Sequence, residues 1–117
     1  MLLRRELHRR GKRFRVDTRI EGLPRRKVDI AFIRWRVCVL VDGCFWHSCP
    51  DHGTVPRTNR EWWVWKLERT RQRDADTDAA LSALGWTVVR VWEHVPPVVA
   101  ADLVEAALRR AVADRDD

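Results

Sequence analysis

At 117 residues the chain is long enough for one compact domain, spanning 1–117 with its own core, and too short for two. Hydrophobic residues make up 45% and charged residues 34%, and no apolar run approaches the length of a helix that crosses a bilayer, so a soluble protein is expected. A formal charge of +6, with a pI near 10.2, favours a polyanionic partner, and 20 of the 23 basic residues are arginine, whose guanidinium fork suits phosphate. A well-solvated basic surface would have the same charge.

The opening Met1-Leu2-Leu3-Arg4-Arg5-Glu6 lacks the apolar stretch of a signal peptide, so a cytoplasmic location is expected. Leu3 and Leu7 at i and i+4, followed by Gly11, predict a short helix over 2–10. Phe14, Val16 and Thr18 alternate with Arg13, Arg15 and Asp17, the pattern of a half-buried strand, and "EGLPRR" then reads as a turn. "KVDIAFI" (27–33) and "RVCVLVDG" (36–43) predict a hairpin turning at "RW". Its second strand, Val37-Cys38-Val39-Leu40-Val41, is continuously apolar and therefore expected at the centre of a sheet.

Thr58-Asn59-Arg60-Glu61 has the form of a capping box, opening a long helix that ends at Gly85. Trp62, Trp65 and Leu67 at its start and Leu81 and Leu84 at its end are apolar, while charges fill its middle, so the middle must face something polar. "WTVVRVWEH" (86–94) is the last strand, and Pro96-Pro97 start a helix with Val99, Leu103, Ala106, Ala107 and Ala111 at helical spacing. The order α-β-β-β-α-β-α predicts an α/β fold, a mixed sheet flanked by helices.

Between strand and helix lies "GCFWHSCPDHG" (43–53). Cys44-x4-Cys49-x2-His52 brings three soft or borderline donors within nine residues, and tetrahedral zinc is held by such sets. Three cysteines is an odd number, and in a reducing compartment metal ligation or burial is expected before disulfides. Cys38 sits in an apolar run and reads as buried core; His94, ending the last strand, is the better fourth ligand if strands 37–42 and 86–93 are neighbours. The alternative is packed thiols with surface histidines. Phe45 and Trp46 lie between the ligands, either exposed for stacking on bases or forming a small core under the loop.

Asp29 interrupts Val28, Ile30, Ala31 and Phe32, where a carboxylate is costly unless paired or bound to a cation. With Asp42 at the end of the next strand and His47 five residues on, it could provide a divalent-ion site and a general base for phosphodiester hydrolysis. A salt bridge to an arginine is the ordinary alternative for Asp29. Lys66, Arg69 and Arg73, at i, i+3 and i+7, form a basic stripe suited to phosphate contacts or to plain solvation.

These residues carry a resemblance. "VDIAF…VCVLVDGCFWHSCPDHG…P…N…WW…K…RD…LGWTVVRVWEH" resembles the very short patch repair (Vsr) endonucleases of the restriction-endonuclease-like superfamily, over about residues 3 to 94. The resemblance implies a mixed sheet between helices, a structural zinc, and magnesium-dependent nicking of duplex DNA beside the thymine of a T:G mismatch. It implies Asp29 as magnesium ligand, the main-chain carbonyl of Val41 as a second, and His47 as general base. It also implies Cys44, Cys49, His52 and His94 as zinc ligands, and Phe45, Trp46 and Trp63 as the aromatics that enter DNA. Asp42 stands where the best-known members have histidine, which would add a carboxylate to the metal site or alter how the leaving oxygen is protonated. Asp74 of the "RD" pair is expected in a supporting role. The chain starts just after the glutamate expected on the family's first helix, so the family's DNA-embracing arm is expected to be missing.

The partners implied are double-stranded DNA and mismatch-repair proteins, with a monomer acting near the nucleoid. Two other functions stay open: a zinc-stabilised DNA-binding module without catalysis, and a nuclease that restricts modified DNA.

Overall fold

In a computed structural model, residues 2–43 and 55–116 are described. Helix α1 (Leu2–Arg9) leads to strands β1 (Arg15–Ile20) and β2 (Leu23–Phe32), a 3-10 turn (Ile33–Trp35), and strand β3 (Val37–Asp42). Helix α2 (Arg60–Ala83), strand β4 (Thr87–Trp92) and helix α3 (Pro97–Asp116) complete the order. The strands form one sheet, β1-β2-β3-β4, antiparallel except for the parallel β3–β4 pair. β3 is therefore central, as its unbroken apolar run predicts, and the sheet is mixed. No helix among the described residues is long and apolar enough to cross a membrane.

The helices divide between the two faces of the sheet. On one, Leu3 and Leu7 of α1 and Ala100, Ala101, Val104, Ala107 and Leu108 of α3 pack over Ile30, Phe32, Val37, Val39 and Val91. On the other, Leu81 of α2 and Leu84, which caps it, meet Ile20, Val28, Ala31, Cys38, Leu40, Trp86 and Val88. The strict alternation in β3 and β4 follows from the period of two in a strand. In β2 it slips at Asp29: Ile30 and Phe32 face α1 and α3, whereas Val28 joins Ala31 on the α2 side. Opposite Asp29, between the pairs Val16↔Ile30 and Thr18↔Val28, Asp17 has φ 45°.

Several expectations are corrected. The turn predicted over "EGLPRR" is tighter: Glu21 and Gly22 alone connect Ile20 to Leu23, and β2 starts at Leu23. The register shift after Arg19 puts Pro24, which has no N–H to give, in an irregular stretch of the ladder. β1 is not half-buried by alternation, since Val16 is exposed. The capping box does not form: Asn59, in the left-handed conformation (φ 55°), precedes α2 and makes no side-chain cap. On α3, Ala107 is buried and Ala111 packs on the same core, whereas Val99 and Leu103 are exposed and Ala100, Ala101, Val104 and Leu108 are buried. Small alanines permit close approach to the sheet, and that outweighs the larger apolar area of Val99 and Leu103.

The end of α2 does follow the sequence. Gly85 N–H donates to Ser82 (3.0 Å) and Trp86 N–H to Leu81 (2.9 Å), the paired bonds of a Schellman stop, with Gly85 at φ 86°. A Cβ at Gly85 would meet only the Arg36 guanidinium, at 3.2 Å, which can swing aside. Gly85→Ala is therefore expected to cost the left-handed backbone penalty of roughly 1–2 kcal/mol, read as a lower urea midpoint with an unchanged slope. An unchanged midpoint would show that the stop does not depend on glycine.

Candidate active site

β2 and β3 pair only through Ile30↔Val39, Ala31↔Cys38 and Phe32↔Val37. Past that point the strands part, and the Asp29 carboxylate fills the gap, accepting the Val41 N–H at 2.7 Å. Meanwhile Asp42 carbonyl accepts the N–H of Glu93, the residue after β4, at 2.9 Å. Alternation along the strand therefore turns the peptide groups of Val41 toward β2, so its carbonyl and the Asp29 carboxylate share one edge. Asp29, expected in a salt bridge or on a cation, pairs with a backbone N–H instead of an arginine.

A cleft of about 260 Å³ opens there, lined by Asp29, Val41, Asp42, Arg73, Asp74 and Arg90, with Arg25, Arg26 and Lys27 at β2. Its floor explains the charged middle of α2. Below it, the α2 face of the sheet is apolar; at the level of Asp42 and Arg90 it becomes polar, and Asp74, Thr77 and Asp78 of α2 pack onto it. Thr77 hydroxyl donates to Arg73 carbonyl (2.8 Å) and accepts from Arg26, whose guanidinium also reaches Arg73 carbonyl at 3.2 Å.

Arg90 is the hub of this layer. Its Nε lies 2.9 and 3.0 Å from the two Asp78 oxygens, its Nη1 2.7 Å from Asp42 Oδ1, and its Nη2 3.4 Å from Asp74 carbonyl. Burial works against its charge, but the hydrogen bonds and charges of Asp78 and Asp42 outweigh burial and raise its pKa above the ordinary arginine value. Sequence reasoning missed Arg90, Asp78 and Arg26. The available signal was an arginine inside "TVVRVW", where strand alternation assigns position 90 to the covered face.

The basic stripe is brought together. Lys66, Arg69 and Arg73 line a second depression of about 460 Å³ with Arg26, Thr70, Gln72 and Asp76. Arg26 and Arg73 border both depressions, so stripe and cleft form one surface. At the start of α2, Trp63 is half-buried and packs edge-on against Trp62 at 4.8 Å, while Trp62 and Trp65 are about half exposed. Arg69 stacks over Trp65, 5.1 Å from the ring centre.

Cys44, Phe45, Trp46, His47, Cys49 and His52 lie outside the described residues. The strand geometry that the His94 expectation requires is present: β3 and β4 are parallel neighbours with Asp42 opposite Trp92, so both strands end at the same edge. Among the described residues, no group of three or more His, Cys, Asp or Glu side chains is arranged to hold a metal ion. Cys38 is fully buried in the α2-side core, as expected.

Residues 1–51, which include Asp29, Val41 and Asp42, match the family described as DNA mismatch endonuclease Vsr. The chain is 46% identical over 94 residues to the type II nicking enzyme V.NaeI of Lentzea aerocolonigenes, covering 79% of this chain and 57% of that protein. The chain belongs to the Vsr endonuclease family. Other Vsr-like relatives are the type II nicking enzyme V.XorIIP of Xanthomonas oryzae pv. oryzae (39% over 89 residues; 74% of this chain, 62% of that protein) and DNA mismatch endonuclease Vsr of Escherichia coli (36% over 85 residues; 71% and 52%). The chain thus spans little more than half the length of the Vsr-type proteins it matches.

Burial, followed by the nearby charge of Asp78, pushes the Cys38 thiol up to about 12. At mildly alkaline pH it stays protonated and enclosed. Alkylation by iodoacetamide is expected to leave Cys38 unmodified in the native protein and to modify it in denaturant, as read by peptide mass. Rapid native labelling of Cys38 would contradict its place in the core.

Proposed function

We propose that this chain acts as a DNA-nicking endonuclease, magnesium-dependent and directed to T:G mismatches in duplex DNA. The observation that carries the reading is the Asp29 carboxylate beside the outward edge of Val41, in a cleft continuous with a basic shelf. Magnesium is commonly bound through one or two carboxylates together with substrate phosphate and water, so the Asp29 carboxylate with a neighbouring carbonyl fits it. When bound, magnesium would neutralise charge on the scissile phosphate and lower the pKa of a bound water.

The chain's own residues do the rest in this reading. Asp29 and the Val41 carbonyl hold the cation; Lys66, Arg69 and Arg73 take phosphates along the duplex and fix its register without reading sequence. His47 accepts the proton of the attacking water. Phe45, Trp46 and Trp63 stack on bases at the mismatch, where any base offers a π-face. Cys44, Cys49, His52 and His94 form a structural zinc site, a donor set that suits tetrahedral zinc. The relatives named as nicking enzymes and as a mismatch endonuclease support both the strand-nicking chemistry and DNA as substrate.

Labelled duplexes, matched or carrying T:G and methylated or not, test the reading with magnesium or EDTA. The wild-type chain is expected to nick the T:G duplex with magnesium alone. Asp29→Asn should abolish nicking while binding to the same duplex in EDTA is kept or strengthened, since the change removes a negative charge. Nicking by Asp29→Asn at the wild-type rate would sink the assignment, and equal nicking of matched methylated DNA would move the substrate from mismatches to modified DNA.

The zinc site has its own measurement. Elemental analysis should find one zinc per chain, lost in both Cys44→Ser and His94→Ala because structural zinc needs its full tetrahedral set. Zinc retained by both variants, or absent from the wild type, overturns the ligand assignment.

A further inference from the structure

The cleft holds more acid than such a magnesium site uses. Asp29, Asp42 and Asp74 all line it, and Asp78 lies just behind. Polyanionic DNA must approach this corner, and several carboxylates left to themselves would repel it or take up additional cations. Arg90 meets all but Asp29: its guanidinium lies 2.7 Å from Asp42, 2.8 Å from Asp78 and 3.8 Å from Asp74. It projects from the covered face of β4, where the neighbouring inward residue is Val88. The fork is planar and rigid, so one guanidinium can address carboxylates from β3 and α2 at fixed angles.

We propose that Arg90 is a positioning residue that ties Asp42, Asp74 and Asp78 into one ion-paired cluster and thereby leaves Asp29 as the acid offered to the cation. The inference rests on the metal-dependent reading given above. It assigns Asp42 to Arg90 and not to the metal, and it gives the arginine in the middle of β4 a function in the site as well as in the fold. Asp42 and the middle of α2 are joined through Arg90, so the cluster also holds the basic shelf of α2 in register with the Asp29 edge.

Titration with Mn2+ alone, followed by calorimetry, separates the acids. Asp29→Asn should weaken Mn2+ binding by roughly tenfold or more, as loss of a ligand does, while Asp42→Asn leaves it within about twofold of wild type. Arg90→Met should strengthen Mn2+ binding severalfold by releasing Asp42, and weaken duplex binding in EDTA. The pair Arg90→Met with Asp42→Asn should return both toward wild type. Asp42→Asn leaves Arg90 still paired with Asp78 and Asp74, so it decides the matter even if Arg90→Met unfolds. A loss of Mn2+ affinity in Asp42→Asn as large as in Asp29→Asn would make Asp42 a ligand and overturn the inference alone. Equal Mn2+ affinity in wild type and Asp29→Asn would remove the metal reading and this inference together. A folded Arg90→Met that only melts earlier, with Mn2+ and DNA affinities unchanged, would reduce Arg90 to a structural ion pair.

Discussion

The hydrogen bond from Val41 N–H to Asp29 settles the form of the site. Once β2 and β3 part after Ile30↔Val39, that N–H has no strand partner, and an unpaired backbone group in a half-buried position costs on the order of 1–3 kcal/mol. The carboxylate meets the need and is itself oriented by doing so. The slip of alternation at Asp29 and the left-handed Asp17 opposite it are the backbone's accommodation of a side chain aimed into the gap between strands. One local departure from regular sheet thus opens the cleft, exposes the Val41 edge and aims the acid.

The second constraint is charge balance under a helix. The α2 face of the sheet joins two environments that would ordinarily exclude each other: an apolar floor of Ala31, Cys38, Leu40 and Val88 under Leu81, and a polar end with Asp42 and Arg90 under Asp74 and Asp78. A helix crossing both cannot carry a single apolar stripe. α2 has Leu81, with Leu84 as its cap, where it covers the floor and acids where it covers Arg90, which is why its apolar residues gather at its ends. The neighbouring face has no such division, and there α1 and α3 are linked at the rim through Arg10, bonded to Glu6 on one side and Asp102 on the other.

Periodicity made the sheet readable. The unbroken apolar run of β3 marked the central strand, and the glycine after α2 marked its stop. Elements decided by competition between weak signals were less legible. Thr58 and Glu61 satisfy a capping pattern, but Asn59 adopts the left-handed conformation and the helix starts one turn position later. Val99 and Leu103 are more apolar than Ala100 and Ala101, yet the close approach of α3 to the sheet selects the small residues. In the site, Asp29 stood out because a lone acid interrupts an apolar strand. Arg90 interrupts one in the same way, but a half-buried arginine in a strand is intelligible only once Asp42 and Asp78, 48 residues away in one case and 12 in the other, are known to converge on it.

The end of β3 borders the cleft, and β4 ends beside it. Parallel pairing continues to Asp42↔Trp92 and is extended by Glu93 N–H to Asp42 carbonyl, so the chain leaving each strand starts from neighbouring points at one edge. Ligand sites gather at such carboxyl ends in sheets with parallel strands because the strands stop there while the helices and loops diverge. Asp42 belongs to both neighbourhoods: its carbonyl secures β4 beside the exit toward residues 44–52, and its carboxylate is held by Arg90 within the cleft. On the proposed ligand set, a zinc ion bound in part by His94 would act at that same edge. Loss of the zinc would then act on the cleft through the position of Asp42, and the effect on DNA cleavage would be indirect.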